Sequence, residues 1–372
     1  MSLHQPAAVP ELLAPAGSLD AVRAAIANGA DSVYLGAGRF NARDEGAQLT
    51  LAELEMACRL AHQRARRIYL TLNTLIKSSE LVEALDPIAS AVDCGIDAVI
   101  VQDLGLIKLI RTVFPDLEIH GSTQMTVHDA SGAAILRDLG VRRVVLAREN
   151  SIDDIQAISA AVQGIGLETF VHGALCISYS GQCLMSGMIS ERSANRGSCA
   201  QSCRKSYGLI DAASRQTLDD GFVISARDLA AAEHLDSIAK AGVSCLKIEG
   251  RKKKPEYVAT VTEAYRRLLD RMREGEKVRV DASDMTPLVQ IFSRGFTGGM
   301  YAGRAGRAYV TRTQPDNVGV VLGHVVEHRA DGIVIEVDSP VKVDDGLGFD
   351  APDFDSPAKG FRVSALRNVE KG

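Results

Sequence analysis

The chain has 372 residues, 46% of them hydrophobic and 24% charged, so it can bury a large core and has the composition of a globular protein. Its formal net charge of −5 excludes a globally basic protein, and any contact with nucleic acid would have to use local basic patches. The seven cysteines are an odd number, and a chain of this length needs no disulfide scaffold.

The sequence gives no sign of a targeting or membrane-spanning segment. Residues 1–17 lack a charged stretch followed by an apolar core, so they do not read as a signal peptide. The longest apolar stretch, residues 91–110, is interrupted by Asp93, Asp97, Asp103 and Lys108. We therefore expect a cytoplasmic protein with reduced thiols and no membrane contact.

Short apolar segments alternate with longer amphipathic segments over residues 11–273. The predicted strands are Glu11–Ala14, Ser32–Leu35, Arg67–Leu72, Ala98–Val101, Glu118–His120, Arg143–Leu146, Glu168–Val171, Phe222–Ile224 and Cys245–Ile248. The predicted helices are Leu19–Asn28, Leu51–Gln63, Glu80–Cys94, Gly105–Phe114, Ala130–Leu139, Ile152–Val162, Leu229–Ala241 and Glu256–Arg273. Capping residues precede several helices, including Ser18, Thr50 with Glu53, and Ser151 with Asp154.

This alternation predicts parallel strands joined by right-handed helical crossovers. About eight units over some 250 residues are typical of a (β/α)8 TIM-like barrel, which we assign to residues 1–275. No GxGxxG follows the first strand, which argues against a dinucleotide-binding fold.

The pattern changes after Glu274, where polar and glycine-rich segments precede short β-rich ones. Strands are predicted at Gly319–His324, Ile333–Val337 and Phe361–Ala365, with a hairpin over Val326–Ile335 that turns at residues 330–332. We expect a second, mostly-β domain over residues 285–372, a small barrel. Because the chain ends abruptly, it is possible to read it as a fragment of a longer protein.

Reactive groups of a parallel barrel gather where its strands end. The polar residues that follow predicted strands, or lie in the basic run 251–254, are therefore candidates for substrate contact. They are Asn73, Gln102, Gln124, Arg148, Arg227, Arg251 and Lys253. By the same argument from position, His172, Tyr179 and Glu249 are candidate catalytic residues. A histidine at a strand end is also common as a structural residue, and that alternative stays open.

Four cysteines, Cys176, Cys183, Cys199 and Cys203, lie in one polar loop after the seventh predicted strand, with the spacing C-x6-C-x15-C-x3-C. Three interpretations remain open. A structural zinc site usually contains C-x2-C pairs, which are missing here. An iron–sulfur cluster also takes four thiolates and tolerates irregular spacing. The cysteines could instead be buried or disulfide-bonded, although buried cysteines rarely concentrate in a polar loop.

Basic residues flank this loop and follow the last barrel strand. They are Arg192, Arg196, Arg204 and Lys205 around the cysteines, and Arg251, Lys252, Lys253 and Lys254 after the strand. These positions suit contacts with phosphate, carboxylate or RNA, and the alternative is an ordinary solvated surface.

A hydrolase would need a nucleophile with a base. GxSxG and HExxH are both absent. Cys176 near His172 is a possible thiol nucleophile, but that assignment leaves three neighbouring cysteines unexplained.

The segment 168–186, with His172, Cys176 and Cys183, closely resembles the signature of the peptidase U-32 family, the collagenase-like proteases. Segments 11–17, 225–229, 247–251 and 292–297 resemble further blocks of that family, so the resemblance covers almost the whole chain.

Some members of this family are described as collagenases, and others resemble iron–sulfur proteins needed to hydroxylate RNA bases or ubiquinone precursors. The RNA-directed members make 5-hydroxyuridine in tRNA or 5-hydroxycytidine in rRNA, with prephenate as an implicated metabolite. The four-cysteine pattern is similar to that branch. The resemblance therefore implies Cys176, Cys183, Cys199 and Cys203 as ligands of a 4Fe–4S cluster, with zinc as the alternative metal.

We therefore expect an iron–sulfur-dependent enzyme that hydroxylates an RNA base, most simply a tRNA wobble uridine. Its partners would be tRNA or rRNA and a small carboxylate co-substrate such as prephenate. The alternative function is proteolysis by a collagenase-like peptidase, and the third is a non-catalytic iron–sulfur protein that acts with a partner chain.

Overall fold

A closed barrel of eight parallel strands is the centre of the computed structural model, which describes residues 9–43, 46, 48–312, 314–349 and 360–368. The strands are β1 (Glu11–Pro15), β2 (Ser32–Leu35), β3 (Arg67–Leu72), β4 (Ala98–Val101), β5 (Glu118–Gly121), β6 (Arg143–Val145), β7 (Gly166–Ala174) and β8 (Val243–Ile248). Each strand pairs in parallel with the next, and β8 pairs with both β7 and β1. This closure confirms the predicted (β/α)8 architecture.

Helices lie outside the barrel, and most of them bury an apolar face against it. They are α1 (Leu19–Ala27), α2 (Leu51–His62), α3 (Asp86–Cys94), α4 (Leu104–Val113), α5 (Ala130–Asp138), α6 (Ile152–Ala161), α7 (Met185–Ser190), α8 (Leu235–Lys240), α9 (Pro255–Arg273) and α10 (Ala282–Ile291). The predicted caps are confirmed: Ser18 accepts a hydrogen bond from the Ala21 N–H, and Thr50 and Ser151 form capping boxes. No helix of the described residues is both long and apolar enough to cross a bilayer.

Two of the predicted elements differ from the structure near the barrel's seventh and eighth strands. The strand Phe222–Ala226 lies outside the barrel, where it pairs antiparallel with Val310–Arg312. The predicted helix Leu229–Ala241 begins instead as a strand, Asp228–Ala230, that pairs antiparallel with β7. The reason is that β7 runs for nine residues, past its neighbours, and so offers an unpaired edge to the returning chain.

The start of the third helix also differs from the prediction. The predicted helix Glu80–Cys94 is two short 3-10 turns followed by α3, which begins at Asp86. Pro87 explains this boundary, because proline is tolerated in the first turn of a helix and breaks its interior.

The C-terminal part contains small antiparallel sheets, as predicted. Gly323–Arg329 and Gly332–Val337 form a hairpin whose turn falls at the predicted residues. Gly346–Gly348 pairs with Gly360–Arg362. In residues 314–349 and 360–368 these strands pair two by two, and closure into a barrel is not seen among them.

The segment around residue 300 packs against the barrel. The Tyr301 side chain is buried, and its hydroxyl lies 2.7 Å from the Thr169 hydroxyl on β7. Phe296–Thr297 adds a further strand beside Asp228–Ala230. This segment therefore contacts the barrel, and the second domain predicted over residues 285–372 stays a prediction.

Charged side chains fill part of the barrel interior. Glu11 on β1 accepts hydrogen bonds from Arg143 on β6, with a shortest N–O distance of 2.6 Å. Arg143 also lies 3.5 Å from Glu168 on β7, which in turn pairs with Lys247 on β8 at 2.7 Å. This row of alternating charges runs through the interior and ends beneath the C-terminal face.

Candidate functional site

A polar cleft opens at the C-terminal ends of the barrel strands, where the fold predicts chemistry. Four cationic side chains line it: Arg43 after β2, Arg148 after β6, Lys247 on β8 and Arg251 after β8. Glu249 is the carboxylate of the lining. Its neutral polar lining residues are Tyr34, Thr71, Asn73, Ser122, Thr123 and Gln124.

The cleft keeps an excess of positive charge after its internal pairing. Arg43 Nη2 lies 3.0 Å from Glu249 Oε1, and this pair leaves the other cations without a carboxylate of the lining. Burial raises the pKa of Glu249, but the charges of Arg43, Arg148 and Arg251 outweigh it and lower that pKa overall. Glu249 is therefore an ionised carboxylate at neutral pH, and the cleft attracts anions.

Arg251 is held rigidly although it is buried. Its Nη1 donates to Thr71 Oγ1 at 2.8 Å and to Asn41 Oδ1 at 3.1 Å. Burial and the neighbouring Arg43 lower its pKa to about 10, so the guanidinium stays charged at neutral pH. A fixed, charged and poorly hydrated guanidinium is suited to pair with a carboxylate or phosphate oxygen.

Lys247 forms the floor of the cleft and connects it to the charges inside the barrel. Its Nζ donates to Glu168 at 2.7 Å and lies 4.4 Å from the centre of the Tyr34 ring. Burial raises the pKa of Glu168, but Lys247 and Arg143 outweigh that effect and lower it. The ammonium is therefore fixed in position by a carboxylate that stays charged.

Arg148 joins the cleft to the cysteine loop. Its Nη1 donates to the Ala174 carbonyl at 3.0 Å, and its Nη2 lies 3.9 Å from Cys176 Sγ. The guanidinium also lies 5.0 Å from the centre of the Phe170 ring. One side chain thus contacts a thiol of the loop and lines the cleft.

The four cysteines of the loop are free thiols on the same face as the cleft. Cys176 and Cys199 are exposed, and Cys183 and Cys203 are partly exposed. Burial raises the pKa of the Cys203 thiol overall, although the charge of Arg204 lowers it. Four free thiols in one loop are a donor set that suits iron–sulfur clusters or zinc. Among the described residues, however, no three His, Cys, Asp or Glu side chains lie within the common reach of a metal ion.

Arginine side chains hold the cysteine loop in place. Arg204 donates to the Leu175 carbonyl and to Ser225 Oγ, both at 2.9 Å. Arg196 pairs with Glu80 at 2.8 Å. These two arginines, predicted as phosphate contacts, are thus engaged within the protein, whereas Arg192 and Lys205 are exposed.

The structure brings half of the ten predicted catalytic and substrate-contact residues into the cleft. They are Asn73, Gln124, Arg148, Glu249 and Arg251. The others lie outside its lining: His172, Tyr179, Gln102, Arg227 and Lys253.

Gln102, Arg227 and Lys253 make contacts behind or beside the cleft. Gln102 is buried and donates to the Gln124 carbonyl at 3.2 Å, so it supports a lining residue from behind. Arg227 donates to the Val310 carbonyl at 3.3 Å. Lys253 Nζ lies 2.8 Å from the centre of the Phe292 ring, where burial and Arg294 lower its pKa to about 8.

His172 occupies a structural position on β7. It is 1% exposed and packs against the rings of Tyr257, Tyr265 and Phe296. Burial, and then the charge of Lys253, lower its pKa to about 3, so the ring is neutral at physiological pH. It does not line the cleft, and its nearest polar side-chain contact is the Tyr265 hydroxyl at 3.4 Å.

Two cationic lining residues, Arg43 and Lys247, are absent from the sequence-based candidates. Arg43 lies well beyond the end of β2, so a search limited to residues directly after strands misses it. Lys247 and Glu168 lie inside barrel strands, whereas the sequence-based search took residues that follow strands. A lysine and a glutamate within neighbouring barrel strands are the signal that would have found this pair.

Comparison with known proteins places these residues in a family. A model described as peptidase family U32 matches residues 17–311. The chain is 36% identical over 344 residues to the 23S rRNA 5-hydroxycytidine C2501 synthase of Escherichia coli, a match that covers 91% of this chain and 52% of that protein. The chain therefore spans about half the length of this relative.

Two shorter relatives are covered more completely. The tRNA hydroxylation protein P of Haemophilus influenzae is 34% identical over 339 residues, covering 78% of this chain and 73% of that protein. The Collagenase of Porphyromonas gingivalis is 32% identical over 309 residues, covering 79% of this chain and 74% of that protein. With a family model matched over residues 17–311 and these relatives above 30% identity, the chain belongs to peptidase family U32.

Proposed function

We propose that this protein is an enzyme that hydroxylates a base of RNA at the cleft on the C-terminal face of its barrel. The observation that carries the proposal is the cationic cleft of Arg43, Arg148, Lys247 and Arg251, which adjoins the cysteine loop. Two of the relatives above are named for RNA hydroxylation, one of tRNA and one of 23S rRNA. The product would be 5-hydroxyuridine in tRNA or 5-hydroxycytidine in rRNA, and the site of action the cytoplasm.

The cleft would bind a small carboxylate co-substrate such as prephenate. Arg251 is fixed by Thr71 and Asn41, and Lys247 is fixed by Glu168, so both cations are already oriented before a ligand enters. Such preorganisation strengthens the binding of an anion because little side-chain freedom is lost. Glu249 stays ionised and would exclude ligands that carry a negative charge at its own position.

The cysteine loop would hold a 4Fe–4S cluster through Cys176, Cys183, Cys199 and Cys203. A bound cluster would supply one-electron redox chemistry beside the cleft. Arg148 would then face both the cluster ligand Cys176 and the anion in the cleft. Zinc at the same thiols is the alternative.

Proteolysis is the second candidate, and the resemblance to a relative named Collagenase is what favours it. The described lining of the cleft contains no histidine, and His172 is buried away from it. Cys176 has Arg148, not a base, as its side-chain neighbour. A nucleophile with a general base is therefore not assembled at the cleft. The third candidate, a non-catalytic iron–sulfur protein that acts with a partner chain, does not explain why the cations of the cleft are held in fixed orientations.

Mass spectrometry of RNA nucleosides tests the activity. A strain that lacks the gene should lose 5-hydroxyuridine or 5-hydroxycytidine, and the wild-type gene should restore it. Arg251→Met should fail to restore it because the fixed cation is lost, whereas Lys108→Gln, an exposed change on α4, should restore it fully. Unchanged hydroxylated pyrimidines together with lost peptide cleavage would instead support the peptidase.

Anaerobic purification tests the cluster separately. The protein should be brown and contain iron and sulfide, and Cys199→Ala should lose both. Cys94→Ala, a change on α3 away from the loop, should keep them. Colourless protein with one bound zinc would contradict the cluster and support the alternative metal.

A further inference from the structure

The turn at residues 179–181, which we call the Tyr179 turn, is fixed by hydrogen bonds on both sides. Glu149 accepts from the Ser180 N–H at 3.1 Å and from its hydroxyl at 2.9 Å. The Ser180 hydroxyl in turn accepts from the Arg148 N–H at 3.0 Å, and the Thr126 hydroxyl donates to the Ser180 carbonyl at 2.7 Å. The backbone beside Tyr179 is therefore anchored to the chain that follows β5 and β6.

Close packing adds to this anchoring. Gly181 has φ +73° and lies so close to the Gln124 backbone that a Cβ atom would be 2.2 Å from the Gln124 carbonyl oxygen. No other residue type fits there without moving the turn. The turn is thus pressed against Gln124, which itself lines the cleft.

Tyr179 nevertheless points into solvent. Its side chain belongs to the exposed large apolar groups of the protein, with 70% of the residue accessible. A large aromatic side chain on a rigid turn contributes little to the folded state when it is this exposed, because it buries little apolar area. Because the backbone beside the ring is anchored, only the rotamer of the Tyr179 side chain has to be fixed when it binds a ligand, and this small loss of conformational freedom favours recognition.

The Tyr179 turn lies beside the cleft. Two of the residues that hold the turn, Arg148 and Gln124, line the cleft. Arg192 and Lys205, from the same cysteine loop, are exposed cations. Proteins that bind unpaired nucleotides combine exposed aromatic rings, which stack on bases, with exposed cations that contact phosphates, and this loop carries both kinds of side chain.

We propose that Tyr179 is a stacking platform for an unpaired RNA base at the mouth of the cleft. This inference rests on the proposed function and assigns Tyr179 to substrate binding. The base that stacks on the ring would be the target or its neighbour, splayed out of the RNA strand. Stacking needs the ring and not its hydroxyl, so the substitution Tyr179→Phe should leave the affinity for RNA unchanged.

Binding of the full-length protein to two labelled RNAs tests the proposal by fluorescence anisotropy. One probe is a hairpin with a single-stranded loop, and the other is a fully paired duplex of equal charge. Tyr179→Ala should weaken binding to the hairpin about 5- to 100-fold, as removal of a base–aromatic stack does. It should leave binding to the duplex unchanged, because the bases of a duplex are already stacked.

Two further variants serve as controls. Tyr179→Phe should bind the hairpin as the wild type does. Ile135→Ala removes a large exposed apolar group on α5, where 59% of the residue is accessible. This variant should bind both RNAs with the affinity of the wild type.

The outcomes separate this inference from the proposed function. Wild-type protein that binds the hairpin with the same affinity as Tyr179→Ala would overturn the stacking platform and leave RNA hydroxylation intact. Equal losses in Tyr179→Phe and Tyr179→Ala would also overturn it, since the hydroxyl would then be the group that binds. A wild-type protein that binds neither RNA would contradict the proposed function itself.

Discussion

At the scale of single residues, the barrel interior shows how buried charges are compensated. Glu11 accepts hydrogen bonds from Arg143 at 2.6 Å, from Arg67 at 2.7 Å and from the Tyr69 hydroxyl at 2.8 Å, and it also pairs with the Ser32 hydroxyl. Burial raises the pKa of Glu11, but these partners outweigh it and lower the pKa to about 2. A buried charge that lost such partners would cost several kcal/mol.

The pH dependence of stability should reveal this carboxylate. In the unfolded chain the Glu11 carboxyl has its ordinary pKa of 4.5, so between pH 4.5 and 2 the unfolded chain binds more protons and stability falls as the pH falls. The loss assigned to Glu11 is about 3 kcal/mol, which follows from the difference between the folded and unfolded pKa. Urea unfolding of wild type and Glu11→Gln across this range measures it, with the variant showing the shallower decline. Parallel declines would contradict the assignment.

At the scale of elements, helix starts follow from local hydrogen bonds that the sequence already displays. The Thr50 hydroxyl of α2 accepts from the Glu53 N–H at 3.2 Å, and Glu53 accepts from the Thr50 N–H at 2.8 Å. The Thr50 N–H and hydroxyl both donate to the Glu53 carboxylate and lower its pKa. The capping box also satisfies donors that the helix itself leaves unpaired. The helix start therefore does not depend on distant residues.

Removal of this cap should cost a modest, measurable amount of stability. Thr50→Ala should lower the free energy of unfolding by about 1 kcal/mol, because a capping hydroxyl is lost. Thr112→Ala is the matched control, since that hydroxyl lies in the last turn of α4 and only donates to the Lys108 carbonyl. Thermal and urea unfolding compare the two. Equal losses in both variants would show that the cap contributes nothing of its own.

At the scale of the whole molecule, charge is distributed unevenly. The net charge of −5 gives no general attraction for RNA. Cations nevertheless collect at the C-terminal face of the barrel, where some line the cleft and the exposed Lys252 and Lys254 follow β8. RNA binding by such a surface depends on a few phosphate contacts, each of which releases counterions.

The salt dependence of RNA binding counts these contacts. Each of Lys252→Gln and Lys254→Gln should reduce the slope of log affinity against log salt by about one where a phosphate contact is lost. Lys108→Gln, with an exposed lysine on α4, should leave the slope unchanged. A slope that is the same in all three variants would place the RNA elsewhere on the molecule.

Much of the site was predictable because strand ends in a parallel barrel converge on one face. Asn73, Gln124, Arg148, Glu249 and Arg251 follow strands in sequence and line the cleft in the structure. Arg43 was not predictable in this way, because its loop has to fold back over the cleft. The strand Asp228–Ala230 was also missed, because its partner is the overhanging end of β7 and not a neighbour in sequence.

The sequence by itself determined the alternation of strands and helices, the helix caps and the grouping of four cysteines in one loop, because each of these depends on residues close in the chain. The tertiary structure decided which charges meet. Glu168 and Lys247 are 79 positions apart, and Arg43 and Glu249 are 206 apart. Barrel closure brings the members of each pair together, and the cleft then keeps the positive charge that these pairs leave uncompensated, which no local pattern encodes.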